Sequence, residues 1–176
     1  MTAGRILFAV SDSVCLIRME GRVTYSTGPS FSAFIDKLFA DGPITDVVVD
    51  LSQAEYLDST TLGLLGKLSN SVHRELNRKV TVFSPGEDVL TVLSSMGFDT
   101  VFTILKGGES APQHLQNIPL EKQAEPDRAR VILDAHRLLM EMNDANAARF
   151  RDVVEALEKE ISSKTQSPRI DAVRRS

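Results

Sequence analysis

Asp58 and Ser59 are followed by two threonines and then by an apolar helical pattern, so a carboxylate and a row of hydroxyls stand where a helix would begin. Aspartate in that place is an N-cap, its carboxylate accepting a first-turn backbone N–H. A serine one step further in lies among helix N–H groups that no backbone carbonyl takes, and these together with the helix dipole favour an anion. A hydroxyl in such a placement could carry an anionic group without disturbing the helix. The plainer reading makes Ser59 an ordinary first-turn residue and Asp58 only its cap; the sharper one gives Asp58 a part in orienting a modifying enzyme. Other chemistries lack their residues. The chain has no P-loop, no dinucleotide glycine fingerprint and no His-Glu-x-x-His. His73, His114 and His136 are far apart, without metal-ligand spacing, and the single cysteine, Cys15, excludes an internal disulfide or a thiolate cluster within one chain. The reading is therefore of a non-enzymatic protein with no metal and no cofactor.

The helix that carries Ser59 has two stripes. Leu62, Leu65, Ser69, Val72 and Leu76 form a core-facing row, and Ser59, Gly63, Gly66 and Asn70 fall together on a neighbouring face almost free of side-chain bulk. Glycine in a helix costs about 1 kcal/mol against alanine, so two of them need a reason: close approach to the sheet, or close approach of another protein. The partner-facing set on the second reading is Asp58, Ser59, Thr60, Gly63, Gly66 and Asn70, together with Ser26 and Thr27. Upstream, DVVVDLS reads as a strand buried on both faces, which places Asp50 near Ser59 or makes it a loop-capping carboxylate. Ser26 and Thr27 precede the first helix and read as plain cap residues. His73 reads as a partly exposed surface residue and Cys15 as a small core residue.

ILFAV and VCLIRM suggest an opening pair of strands, KVTVFS and VFTIL two later ones, and PSFSAFIDKLFADG and EDVLTVLSSMG helices ending at Gly42 and Gly97. Alternating strands and helices predict an α/β layer fold with a mixed, mostly parallel sheet. Around KGGESAPQHLQNIPLEKQAEPD neither period persists. Beyond it Ile132, Ala135, Leu139 and Met142, then Phe150, Val153, Val154, Leu157 and Ile161, follow helical spacing, with turn residues Asn143, Asp144 and Asn146 between. This is an αα-hairpin, too small to stand alone, that docks on the first domain, a second copy or a partner protein. The expected division is a domain over 1–108, a linker over 109–125, the hairpin over 126–164 and a basic tail over 165–176 containing Arg169, Arg174 and Arg175.

With 176 residues, 42% of them hydrophobic, the chain has an ordinary globular composition. Twenty Lys and Arg against 24 Asp and Glu give a net charge of −4, which argues against a life on nucleic-acid backbones. Apolar runs are too short for a membrane span and the N-terminus lacks a secretory core, so a cytoplasmic protein is expected.

DVVVDLSQAEYLDSTTLGLL resembles the central signature of the STAS domain of bacterial anti-sigma-factor antagonists: a hydrophobic strand ending in Asp, a short loop, Asp-Ser, then a Gly-containing helix. MEGRVTYSTGPSF and KVTVFSPGEDVLTVLSSMGFDTVFTI extend the resemblance over about residues 5–105, and the C-terminal hairpin is extra to it. Thr61 stands where the family often has glycine. The resemblance implies a phosphorylation switch on Ser59, with Thr60 as the alternate acceptor and the loop of Ser26 and Thr27 bordering the site. A partner serine kinase, often the anti-sigma factor itself, adds the phosphate and a PP2C-like phosphatase removes it; the unmodified form binds the anti-sigma factor. The hairpin would offer a surface to another signalling protein. The alternative is a STAS-type sensor of a small ligand or nucleotide, or a scaffold in a signalling complex.

Overall fold

The computed structural model describes residues 2–83, 85–107 and 114–166; the basic tail and part of the expected linker lie outside them. Two strands, β1 (Arg5–Ser11) and β2 (Val14–Val23), form an antiparallel hairpin. Its two-residue turn puts Asp12 and Ser13 at φ 51° and 65°, the left-handed pair that matches the twist of the flanking strands. Helix α1 (Gly28–Lys37) follows, with Pro29 in its first turn, and ends before the predicted Gly42. Strand β3 (Asp46–Leu57), helix α2 (Ser59–Leu76), β4 (Val80–Phe83), α3 (Glu87–Ser95) and β5 (Phe102–Leu105) complete the alternating part.

The six strands lie in the order β5-β4-β3-β2-β1-β6, with β2 through β5 parallel and the β1 edge antiparallel. This is the mixed, mostly parallel sheet that the alternation predicts. Val47, Val49 and Leu51 of β3 are fully buried, as are Ile17 and Met19 of β2, Phe31 of α1 and Leu65, Leu68 and Val72 of α2. Val48 is only half-buried, so β3 is less completely enclosed than its run of valines suggests.

The segment read as a linker is laid along the domain. Strand β6 (Gln116–Asn117) pairs with Leu7 and Phe8 of β1, and the Ile118 N–H donates to the Ile6 carbonyl. The Glu121 N–H donates to Ser30 Oγ at 3.0 Å and the Glu121 carboxylate pairs with Lys37 at 3.2 Å. Two residues are too few to show a period, which is why the strand escapes the pattern. Helices α4 (Glu125–Met142) and α5 (Asp144–Gln166) then form the hairpin. Asn143 alone separates them, its side-chain oxygen accepting the Asn146 N–H at 2.8 Å. Arg137–Glu158 at 2.8 Å and Lys164–Glu125 at 3.1 Å tie the two helices together, and each pairing holds its cation's pKa above the ordinary value.

Candidate functional site: the head of helix α2 and its cover

Asp58 organises the start of α2. Its Oδ1 accepts the Thr61 N–H at 2.9 Å, an N-cap bond, and its Oδ2 accepts the Tyr25 N–H at 2.7 Å. One carboxylate thus joins the helix to the turn over Tyr25–Thr27, where Thr24 Oγ1 and Ser26 Oγ lie 3.1 Å apart and Thr27 Oγ1 donates to the Thr24 carbonyl. Ser26 and Thr27 therefore border the head of α2 through Tyr25. Thr61, in place of the family's frequent glycine, is 2% exposed and donates its hydroxyl to the Val23 carbonyl, fixing the helix to the end of β2. Thr60 is buried as well, whereas Ser59 is half-buried. Of the two predicted acceptors, Ser59 is the less buried.

The Ser59 hydroxyl has a partner that the sequence reading did not assign. Its Oγ lies 2.8 Å from Nε2 of His136 on α4, and His136 Nδ1 lies 2.7 Å from the Ile132 carbonyl. A carbonyl can only accept, so Nδ1 carries the ring proton and, in the neutral ring, Nε2 accepts from Ser59. The ring is buried, with its edge toward Phe150 at 5.6 Å between centroids. The third member of this chain is a neutral carbonyl where a catalytic triad has a carboxylate. Seventy-seven residues separate Ser59 from His136, and the only signal for the pairing is that His136 falls on the apolar side of α4, one position from Ala135.

The small-residue face of α2 is met by helix α4 at both glycines. A Cβ on Gly63 would collide with the backbone of Ala135, whose Cα would lie 2.8 Å away, and a Cβ on Gly66 would meet the side chain of Leu138. Helix α4 crosses α2 at these two glycines. Asn70, at the far end of the same face, stays exposed beside a cavity of about 280 Å³ bordered by Gly66, Leu138 and Met142. The tip of the hairpin is anchored separately: the Met96 carbonyl after α3 accepts from Asn143 Nδ2 at 3.2 Å and from the fully buried Asn146 Nδ2 at 2.9 Å.

Asp50 does not belong to this site. β3 continues past it to Leu57, and by the pairing Arg18 opposite Asp50 and Val23 opposite Leu57 the intervening sheet spans about 17 Å at the usual strand rise. Asp50 is 1% exposed, pairs with Arg18 Nε at 3.0 Å and accepts the Ser52 N–H. It is a structural carboxylate inside the sheet. Val153, predicted to face inward, is 42% exposed. His73 is exposed and Cys15 fully buried. Among the described residues no group of three or more His, Cys, Asp or Glu side chains could hold a metal ion, and no helix is long and apolar enough to cross a membrane.

Solved structures share this fold. A candidate anti-sigma factor antagonist of Thermotoga maritima (TM1081) is 22% identical over 55% of this chain and 82% of its own, with a TM-score of 0.50. The same protein's NMR structure, at 21% identity over 56% and 78% of the two chains, gives 0.51. An anti-sigma factor antagonist from Mycobacterium paratuberculosis is 24% identical over 58% and 85%, with a TM-score of 0.48. The hairpin lies beyond the span of the family match: a family model for the STAS domain matches residues 5–111, and the chain belongs to the STAS domain family.

Proposed function

We propose that this protein is an anti-sigma factor antagonist, a binding module switched by phosphorylation of Ser59. The observation that carries the proposal is the placement of Ser59: a half-buried serine in the first turn of α2, beside two buried threonines and the capping Asp58. A phosphoserine brings a charge of about −1.5 to −2. The helix N-terminus offsets such an anion by roughly 0.3–1 kcal/mol, and up to about 2 when it is partly buried, so the domain tolerates the modification. A partner packed over the same spot does not, because burying an unmatched anion costs several kcal/mol. A loss of about 4 kcal/mol weakens binding roughly a thousandfold. The unmodified form binds the anti-sigma factor; a serine kinase, which can be that same partner, turns binding off, and a PP2C-like phosphatase restores it, all in the cytoplasm.

The test is co-purification of candidate anti-sigma factors with wild type, Ser59→Ala and Ser59→Asp. The alanine form is expected to retain the partner and the aspartate form to lose it. An aspartate form that binds as tightly as the alanine form refutes the switch. A second reading, a small-ligand sensor, is favoured by an apolar cavity of about 450 Å³ between α1 and the β1–β2 hairpin, bordered by Phe8, Val10, Phe34, Leu38, Ile44 and Pro119. Native mass spectrometry of freshly purified protein separates the two, since a retained small molecule supports the sensor.

A further inference from the structure

The face of α2 that would receive a partner is already occupied by the chain's own hairpin. Three contacts place it there: His136 on the Ser59 hydroxyl, Ala135 on Gly63 and Leu138 on Gly66. We propose that α4 is a resident, displaceable occupant of this face, and that an outside partner gains the face by presenting a helix of the same kind: a small residue where the two backbones cross, and a hydrogen-bond acceptor for Ser59. The competition with a partner rests on the proposed function above; the docking and release of the hairpin do not.

The contact has the character of a removable one. At the crossing α2 offers two glycines, so the surface covered there is backbone, while Leu139 and Phe150 of the hairpin reach the hydrophobic core of the first domain. The polar links, Ser59 to His136 and the Met96 carbonyl to Asn143 and Asn146, exchange for water when the hairpin leaves. The hairpin carries its own closure in Arg137–Glu158 and Lys164–Glu125, so it can move as a unit. The first domain also packs Phe31, Leu65, Leu68 and Val72 with the sheet residues Ile17, Val47, Val49 and Leu51 in its core. The fit is also selective. Space at Gly63 admits a partner residue no larger than Ala135 in backbone contact, and Nε2 of His136 presents an acceptor to the serine proton. Phosphorylation would replace that proton by acceptor oxygens, so the same hydroxyl reports on both occupants.

The experiment uses the full chain with Leu138→Cys as a thiol probe of the covered face. Leu138 is half-buried against Gly66, and the only other thiol, Cys15, is fully buried with its pKa pushed up to about 12, so it stays silent toward Ellman's reagent while the domain is folded. Labelling rates are compared in three backgrounds: Leu138→Cys alone, with Ala135→Arg, which wedges the crossing from the hairpin side, and with Gly63→Ala, which wedges it from α2. The wedged chains are expected to label at least tenfold faster at position 138 with Cys15 still protected. A labelled synthetic peptide of residues 125–166 is then titrated onto wild type and onto Ala135→Arg, whose α2 face is intact; it should bind the variant at least tenfold tighter. Equal labelling rates in all three backgrounds overturn the docking. Faster labelling with equal peptide affinities overturns the occupancy. Neither readout involves phosphate or a foreign protein, so each can fail while the Ser59→Asp result stands, and the reverse.

Discussion

Gly63 and Gly66 lie on one face of one helix, yet their replacement by alanine should act in opposite directions. Alanine is intrinsically favoured over glycine in a helix interior by about 1 kcal/mol, so on an isolated α2 both changes would stabilise equally. The neighbours differ. At Gly66 the new methyl meets Leu138 Cδ2, the end of a flexible side chain, while the next atoms, Leu138 Cγ and Met142 Sδ, lie 3.8 and 3.9 Å away. A change of rotamer relieves the clash, and Gly66→Ala should be neutral or up to about 1 kcal/mol more stable. At Gly63 the methyl meets the carbonyl, C and Cα of Ala135, all backbone. No rotation clears it; α4 must shift, and overpacking of that kind costs about 1–3 kcal/mol, with backbone contact at the upper end. Net of the propensity gain, Gly63→Ala should lose about 2 kcal/mol, or roughly 4–8 °C in Tm for a chain of this size. Thermal unfolding followed by circular dichroism decides it. If both variants gain stability equally, α4 does not cross α2 at Gly63 and the account of this face fails.

Asp50→Ala should cost about 3 kcal/mol in urea unfolding, because it removes the buried carboxylate that pairs with the Arg18 guanidinium at 3.0 Å. Binding of the proposed anti-sigma factor partner should stay at wild-type strength, and a selective loss of binding would return Asp50 to the site. Burial raises the Cys15 thiol from the ordinary 9.0 to about 12. The folded state therefore holds a proton that the unfolded chain releases, and the stability this provides is complete below pH 9 and declines between about pH 9 and 12. Cys15→Ala, compared with wild type across that range, should remove this part of the alkaline loss; identical pH profiles would contradict it.

The architecture was readable because its signals are local. Each buried strand is a short apolar run, and α2 declares its start through Asp58 and its inner row through Leu62, Leu65 and Val72. The two glycines also declared that something approaches closely, but a glycine marks a vacancy and not its tenant. That tenant, Ala135, is a residue whose small size attracts no notice on its own helix. His136 was equally mute: an imidazole at an inward position becomes informative only once the opposing serine is known. Asp50 misled for a different reason. DVVVD looks like a complete strand, whereas pairing with β2 carries β3 on through irregular register to Leu57, so the end of the apolar run is not the end of the strand. β6 owes its existence to tertiary pairing, which two residues cannot advertise.

The fastening of residues 116–121 to β1 and α1 sets the range of the hairpin. With Glu121 held at Ser30 and Lys37, only three residues remain before Glu125, a leash of about 13 Å at full extension. A hairpin that lets go of α2 therefore pivots instead of diffusing, and its local concentration stays at or above the millimolar range. Any visitor must outbid a rival that never leaves the room, and once the visitor departs the closed form is restored by a first-order step, at a speed independent of how many copies the cell holds.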